Sequence, residues 1–256
     1  MLEEYGWVYG QTEGRLRKTV TPFFQYVELQ TLFLCLRHQS VEQYDRVNAL
    51  LQQSLLSDGL RKRLLAPADM DSLISQVIAV LVELSDDFSG LGPIYQQKGL
   101  AGFEAAANRL FLEYAVASKL SPAVHGFFRQ VIDHRNLLLL AKKVRWQVSE
   151  PADFVPGGTI PPAKIERART QGGLAAVIEL FGLDMGGEGA GTSPELLDRL
   201  FWARHTKKMR LEGRGQEPVG QVMSYLWQRY VVARHHSLLW HGRTMPRQKL
   251  LQEMIQ

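Results

Sequence analysis

Apolar positions recur at helical spacing along almost the whole chain. From Thr21 the run TPFFQYVELQTLFLCLRH sets Phe24, Val27, Thr31, Leu34 and Cys35 on one stripe. Leu29, Leu32, Phe33 and Leu36 form a second. Two apolar stripes predict a helix buried nearly all round. Residues 41–56 are amphipathic and are predicted to end near Ser57-Asp58-Gly59, where glycine suits a left-handed C-cap. Asp69 or Asp71 is the expected cap of a helix over 72–84, which stops at the polar, Gly- and Pro-rich break SDDFSGLGP.

Residues 99–119 place Phe103, Ala106, Ala107, Leu110, Phe111 and Tyr114 on one helical face. Ser121-Pro122 is a good Ncap–N1 start for a helix running to about Trp146. The loop SEPADFVPGGTIPP follows, then short helices at 163–170 and 174–181. GLDMGGEGAGTSP reads as a flexible loop whose Ser193-Pro194 starts a helix over 195–210. After EGRGQEP, Pro218 opens a long helix to about His241, and Pro246 opens a last one. No useful length alternates with period two, so the expected fold class is all-α.

Composition adds bounds rather than identity. Of 256 residues, 45% are hydrophobic and 22% charged, which suffices for a sizeable core and excludes a disordered polymer or a disulfide scaffold. The single cysteine, Cys35, permits no intrachain disulfide and fits a reducing compartment. The longest uncharged apolar stretch, 73–82, falls short of the roughly 20 residues a membrane span needs. MLEEYGWVYGQ has no apolar h-region, so no secretory signal is expected and the chain is read as soluble. Net charge is +4, a mild excess that demands no nucleic-acid partner. The densest basic run holds Arg204, His205, Lys207, Lys208 and Arg210, followed by Arg214. It reads as a solvated helix end or as a basic contact patch built on Arg204, Lys207, Lys208 and Arg210.

Catalytic signatures are scarce. GGEGAG (186–191) has the wrong glycine spacing for a dinucleotide fingerprint, and no strand precedes it. Asp86-Asp87 starts like an aspartate-rich prenyl-transfer box, but Gly90 stands where the next acid belongs. His236 and His241 are five apart, an awkward spacing for two ligands on one helical face, so His235, His236 and His241 are read as surface or packing residues. Cys35 lies on a buried helix face and reads as a small core residue. No metal or cofactor is expected.

An internal repeat is more informative. Glu28-Leu-Gln-Thr-Leu-Phe-Leu-Cys-Leu-Arg37, Asp133-His-Arg-Asn-Leu-Leu-Leu-Leu-Ala-Lys142 and Val232-Ala-Arg-His-His-Ser-Leu-Leu-Trp-His241 share a pattern: an acid, three residues, then an apolar run ending in a base. The third copy lacks the acid. The copies start 105 and 99 residues apart, which suggests three related helical lobes at 1–90, 91–185 and 186–256. The acid can pair with helix N-terminal amides or with a base on a neighbouring lobe helix. The asparagine, Asn136, can satisfy a backbone group at a tight helix crossing. The closing base suits the negative end of the helix dipole.

The segment IDHRNLLLLAKK (132–143) resembles the hallmark of the C/d family of central-stalk proteins of V-type and archaeal-type rotary ATPases. Phe154-Val-Pro-Gly157-Gly158 is similar to that family's Gly-Gly loop after the motif helix. Glu217-Pro218-Val-Gly220, followed by Met223-Ser-Tyr225-Leu226, is similar to its Pro-Gly turn before a Tyr-containing helix. The first copy departs from the pattern in having Thr31 where asparagine is expected, and the third has Val232 and His235. The first motif also begins early, at Glu28, as though first-lobe helices were missing. A shortened lobe is expected to leave apolar surface uncovered around Phe23, Phe24 and Leu32–Leu36, with the C-terminal helices as its other cover.

The resemblance implies a funnel-like body of three pseudo-symmetric lobes with no active site. Such a body sits peripherally on the cytoplasmic mouth of a proteolipid rotor ring and receives the foot of the central shaft. It passes torque between the ATPase head and the ion-carrying ring. The alternatives are a free-standing all-α adaptor that reuses this fold and a helical enzyme, which would need a deep pocket lined with perturbed acids.

Overall fold

The computed structural model describes residues 1–66, 69–185, 193–247, 250–251 and 254. It is all-α, with no strand among the described residues. The chain divides between Ser118 and Lys119 into two compact units.

The first unit holds α1 (Leu2–Gln11), α2 (Gly14–Gln39), α3 (Tyr44–Leu51), α4 (Asp58–Leu65), α5 (Met70–Val82), a 3-10 turn (Asp86–Gly90) and α6 (Leu91–Ala117). Helix α2 is its axis and packs against α1, α3, α4 and α6. Its two apolar stripes are why it can be enclosed on several sides. Phe23 and Phe24 meet Tyr5 of α1 edge-on, with centroids 5.7 and 6.2 Å away. Phe33 meets Phe103, and Tyr26 meets Phe111, across the contact with α6. Within α6, Gly99 sits at φ 63°, a left-handed backbone that kinks the helix and that a side chain would resist.

Two expectations are corrected here. Phe23, Phe24, Leu32, Phe33, Cys35 and Leu36 are buried, leaving only Leu34 of that group exposed. Over Phe23 and Phe24 the cover comes from α1, whose Tyr5 meets both rings, and over Phe33 it comes from Phe103 of α6. Gly59 is not a C-cap. Ser57 instead caps α4, its hydroxyl accepting from Leu60 N, and Gly59 falls in that helix's first turn. At the break SDDFSGLGP the chain needs only a 3-10 turn before Leu91 resumes the helix.

The second unit holds α7 (Pro122–Arg145), α8 (Pro162–Leu180), α9 (Pro194–Glu212) and α10 (Pro218–His241). All but α10 are introduced by Ser-Pro or Pro-Pro, and Ser121 and Ser193 accept from the amides of Val124 and Leu196. Helix α8 is two helical pieces joined through Gly172 and Gly173. Helix α7 packs against α8, α9 and α10. Phe127, Phe128, Phe201, Trp202 and Trp227 form the aromatic part of this core. Gly213 lets α9 and α10 approach, because a Cβ there would collide with the Ser224 side chain. Gly220 does the same beside the Glu212 carbonyl, 3.2 Å from where its Cβ would lie. The loop glycines 186–191 lie outside the described residues. After Pro246, Leu250 N donates to its carbonyl at 3.1 Å, one helical turn.

Candidate functional site

On α7 the first motif residue, Asp133, is 1% exposed and faces the loop that leads into α8. Its Oδ1 accepts from Thr159 N at 2.9 Å and Ile160 N at 3.3 Å, while Oδ2 accepts from the Thr159 hydroxyl. Three residues on, Asn136 shares that helical face. Its Nδ2 donates to the Val155 carbonyl at 2.8 Å, and its Oδ1 accepts from Val155 N at 2.9 Å. The loop 154–160 is therefore held at two points by one helix face. Arg129, one turn earlier, donates to the Gly158 carbonyl from Nε and one terminal nitrogen.

The two loop glycines serve different needs. Gly157 adopts φ 90°, a left-handed conformation. Gly158 is needed for space: a Cβ there would collide with Asp133 Oδ1 and lie 3.2 Å from Ile132 Cγ2. Burial pushes the Asp133 carboxyl above its ordinary pKa, opposed by the Thr159 hydroxyl, the two amides and the Arg129 charge.

The first repeat copy builds a reduced version. Glu28 of α2 is buried, and its Oε1 accepts from Leu55 N at 2.9 Å. The donor lies 27 residues on, against 26 for Asp133 and Thr159. Burial also raises the Glu28 pKa, opposed by the Leu55 and Leu56 amides and by Arg61. Thr31 stands in the asparagine position, but its hydroxyl turns back to the Val27 carbonyl, so this clamp has one anchor point rather than two. In the third copy Val232 is 43% exposed and holds nothing comparable.

The closing bases diverge. Arg37 makes a forked pair with buried Glu104 of α6, with Nε 2.8 and 3.0 Å from its two oxygens. That hydrogen bonding raises the guanidinium pKa further. Lys142 is exposed in the last turn of α7. Of the later motif residues, Pro218 opens α10, Gly220 makes the helix crossing, and Tyr225 lies under the Arg229 guanidinium at 5.0 Å.

A second polar cluster joins α7, α9 and α10. His134 Nε2 lies 2.7 Å from Asp198 Oδ1, which also accepts from Trp202 Nε1 at 3.1 Å. Arg234 donates to Asp198 Oδ2. Burial works to raise the Asp198 pKa, but the hydrogen bonds and charges of His134 and Arg234 outweigh it and hold it below the usual range. Sequence reasoning missed this cluster. His134 was visible beside Asp133, but neighbours on a helix face different ways, and nothing local ties it to an acid 64 residues on.

The basic run does not stay together. Arg204 donates to the Phe181 carbonyl and so closes the end of α8. Lys208 pairs with Glu212 at 3.8 Å. His205 is buried against Trp227 and Trp202. Lys207 is exposed, and Arg210 lines a groove between α9 and α10 together with Arg214 and His235. Among the described residues no three His, Cys, Asp or Glu side chains come together as a metal site. Burial, then Glu28, pushes the Cys35 thiol up to about 12, away from nucleophilic chemistry.

The Asp133–Asn136 face thus grips the Gly-Gly loop through buried hydrogen bonds. A family model described as ATP synthase (C/AC39) subunit matches residues 1–231. The chain belongs to that family. A comparison with curated proteins finds no match. For this C/AC39 family member, the family assignment and the all-α architecture agree with the resemblance of the motif helix to the C/d stalk proteins. No helix among the described residues is long and apolar enough to cross a membrane.

Proposed function

We propose that this chain is the non-catalytic central-stalk component of a rotary V/A-type ATPase. In this reading it binds the central shaft on one side and the proteolipid rotor ring on the other, peripheral to the cytoplasmic face of the membrane. It passes torque between them for ion transport or ATP synthesis. The family match over residues 1–231 carries the reading. The interior chemistry supports it: Asp133, Asn136, Glu28 and Asp198 are spent on fixing helices and loops to one another. Close-packed interiors transmit strain, as a coupling element must.

The lobe organisation belongs to the same proposal. The recurrence of a helix carboxylate gripping a backbone amide 27 and 26 residues on supports related first and second lobes. The packing of α6 on α2 favours a first boundary near Ser118 over one at residue 90.

The test is isolation of the tagged full chain from its own cells in mild detergent. Shaft proteins and the proteolipid ring are expected to come with it. A chain recovered without them would favour the alternative, a free-standing all-α adaptor built on the same fold.

A further inference from the structure

The groove between the end of α9 and the middle of α10 has about 490 Å³ of space and is lined without a single acid among the described residues. Arg210 and Arg214 stand on its α9 side, His235 on its α10 side. Both arginines are exposed, and among the described residues neither has a carboxylate within ion-pair distance. The nearby Glu212 is taken by Lys208. Ser224 and Thr206 line it as buried residues, the Thr206 hydroxyl oxygen accepting from Trp227 Nε1 at 2.8 Å. Val231 and Val232 supply an apolar strip along the same groove.

We propose that this groove docks a carboxylate-rich, partly apolar segment of a partner polypeptide. Guanidinium forks bind carboxylates bidentately, and two of them lie here with no anion lining the groove to neutralise them. The valine strip fits aliphatic side chains between the acids. A wholly hydrated anion would leave that strip unused. The stalk reading supplies only the partner's identity, so the groove can be tested by itself.

The experiment uses the full chain and a fluorescein-labelled ten-residue peptide alternating Glu pairs with Leu, with its Gln-for-Glu counterpart as control. Fluorescence anisotropy should show binding at low salt that weakens as salt rises, and none for the Gln peptide. Arg210→Glu with Arg214→Glu should weaken binding about tenfold or more, whereas Lys164→Glu with Arg167→Glu, an equal charge change at exposed sites on α8, should leave it within about twofold. Should the double reversal fail to fold by circular dichroism, Arg210→Gln with Arg214→Gln gives the same comparison. Equal binding by the groove and control variants would overturn the proposal. So would capture of anionic phospholipid vesicles, abolished by the double reversal, in the absence of peptide binding. Groove-dependent peptide binding without rotary-complex proteins in the pull-down would keep the groove and remove the stalk reading. Co-purification with no peptide binding would do the reverse.

Discussion

Thr159 gives Asp133 two hydrogen bonds, one from its backbone amide at 2.9 Å and one from its hydroxyl. Through them a helix side chain determines the path of a loop 26 residues away. Asp133→Ala would strand the amides of Thr159 and Ile160 in a buried place. The expected loss is about 3 kcal/mol of unfolding free energy, measured by urea titration. Asp133→Asn keeps an acceptor for the amides and removes the buried charge, so its loss should be smaller. An alanine variant as stable as the parent would show that the loop holds its course without the carboxylate.

The two glycines of that loop should respond differently. Gly157→Ala meets backbone strain at φ 90° and is expected to cost about 1–2 kcal/mol whatever stands at position 133. Gly158→Ala collides with Asp133 itself and is expected to cost about 1–3 kcal/mol. Trimming the acid removes the collision, so in an Asp133→Ala background the Gly158→Ala penalty should shrink while the Gly157→Ala penalty stays. A double-mutant cycle with additive effects at 133 and 158 would contradict the close approach.

How far the sequence could be read follows from the range of each interaction. Ser121-Pro122 and Ser193-Pro194 announce α7 and α9 because capping is settled within four residues. The acid of IDHRN and the Gly-Gly loop were both legible, since a buried acid demands a partner and paired glycines demand a tight path. Their mutual contact was not, because hydrogen-bond partners 26 residues apart leave no spacing signal. Gly59 misled for a related reason: Ser57, two residues earlier, outcompetes it by capping the next helix. The cover over Phe23 and Phe24 was missed because α1 is a short helix with two glycines, Gly6 and Gly10. Its Tyr5 matters only once the two helices meet. The basic run left a solvated helix end and a contact patch both open, because sequence does not show that Arg204, Lys208 and Arg210 of one helix meet a carbonyl, a glutamate and a groove.

His205 sets an acid-sensitive step. Its ring is 1% exposed, and neither nitrogen has a hydrogen-bond partner among the described residues. It lies 4.5 Å from the Trp227 ring centroid. Burial first, then the charges of Lys208, His134 and Arg204, pushes its pKa down to about 3. The folded chain therefore binds fewer protons here than the unfolded chain between about pH 6.5 and about pH 3. Stability from this group is complete above the upper value and falls by about 1.4 kcal/mol per pH unit as pH drops through that window. His205→Phe keeps an aromatic ring in the aromatic box and removes the proton site. Urea titrations should find it gaining about 2 kcal/mol on the parent between about pH 7 and about pH 5. Parallel pH curves for the two would show that His205 is already accessible to protons.

Asp198 governs a lower window. His134, Trp202 and Arg234 all converge on its carboxylate, tying α7 and α10 to α9. Asp198→Asn leaves Arg234 without its counter-charge, but that guanidinium is partly exposed and can turn to water. The expected cost at neutral pH is therefore modest, about 1–2 kcal/mol. Because the folded-state pKa is depressed, the carboxylate's contribution is present in full above the ordinary aspartate value near about 3.9. It is lost only as pH falls from there through the lower folded value. The Asp198→Asn deficit should shrink as pH falls below about 4, distinct from the His205 loss that begins near about pH 6.5. Repeating the Asp198→Asn comparison in the His205→Phe background keeps the chain folded further into acid and separates the two windows. A deficit that keeps its full size at the lowest pH where the chain stays folded would mean that the three donors do not favour the ionised form, and that the link between these helices is packing alone.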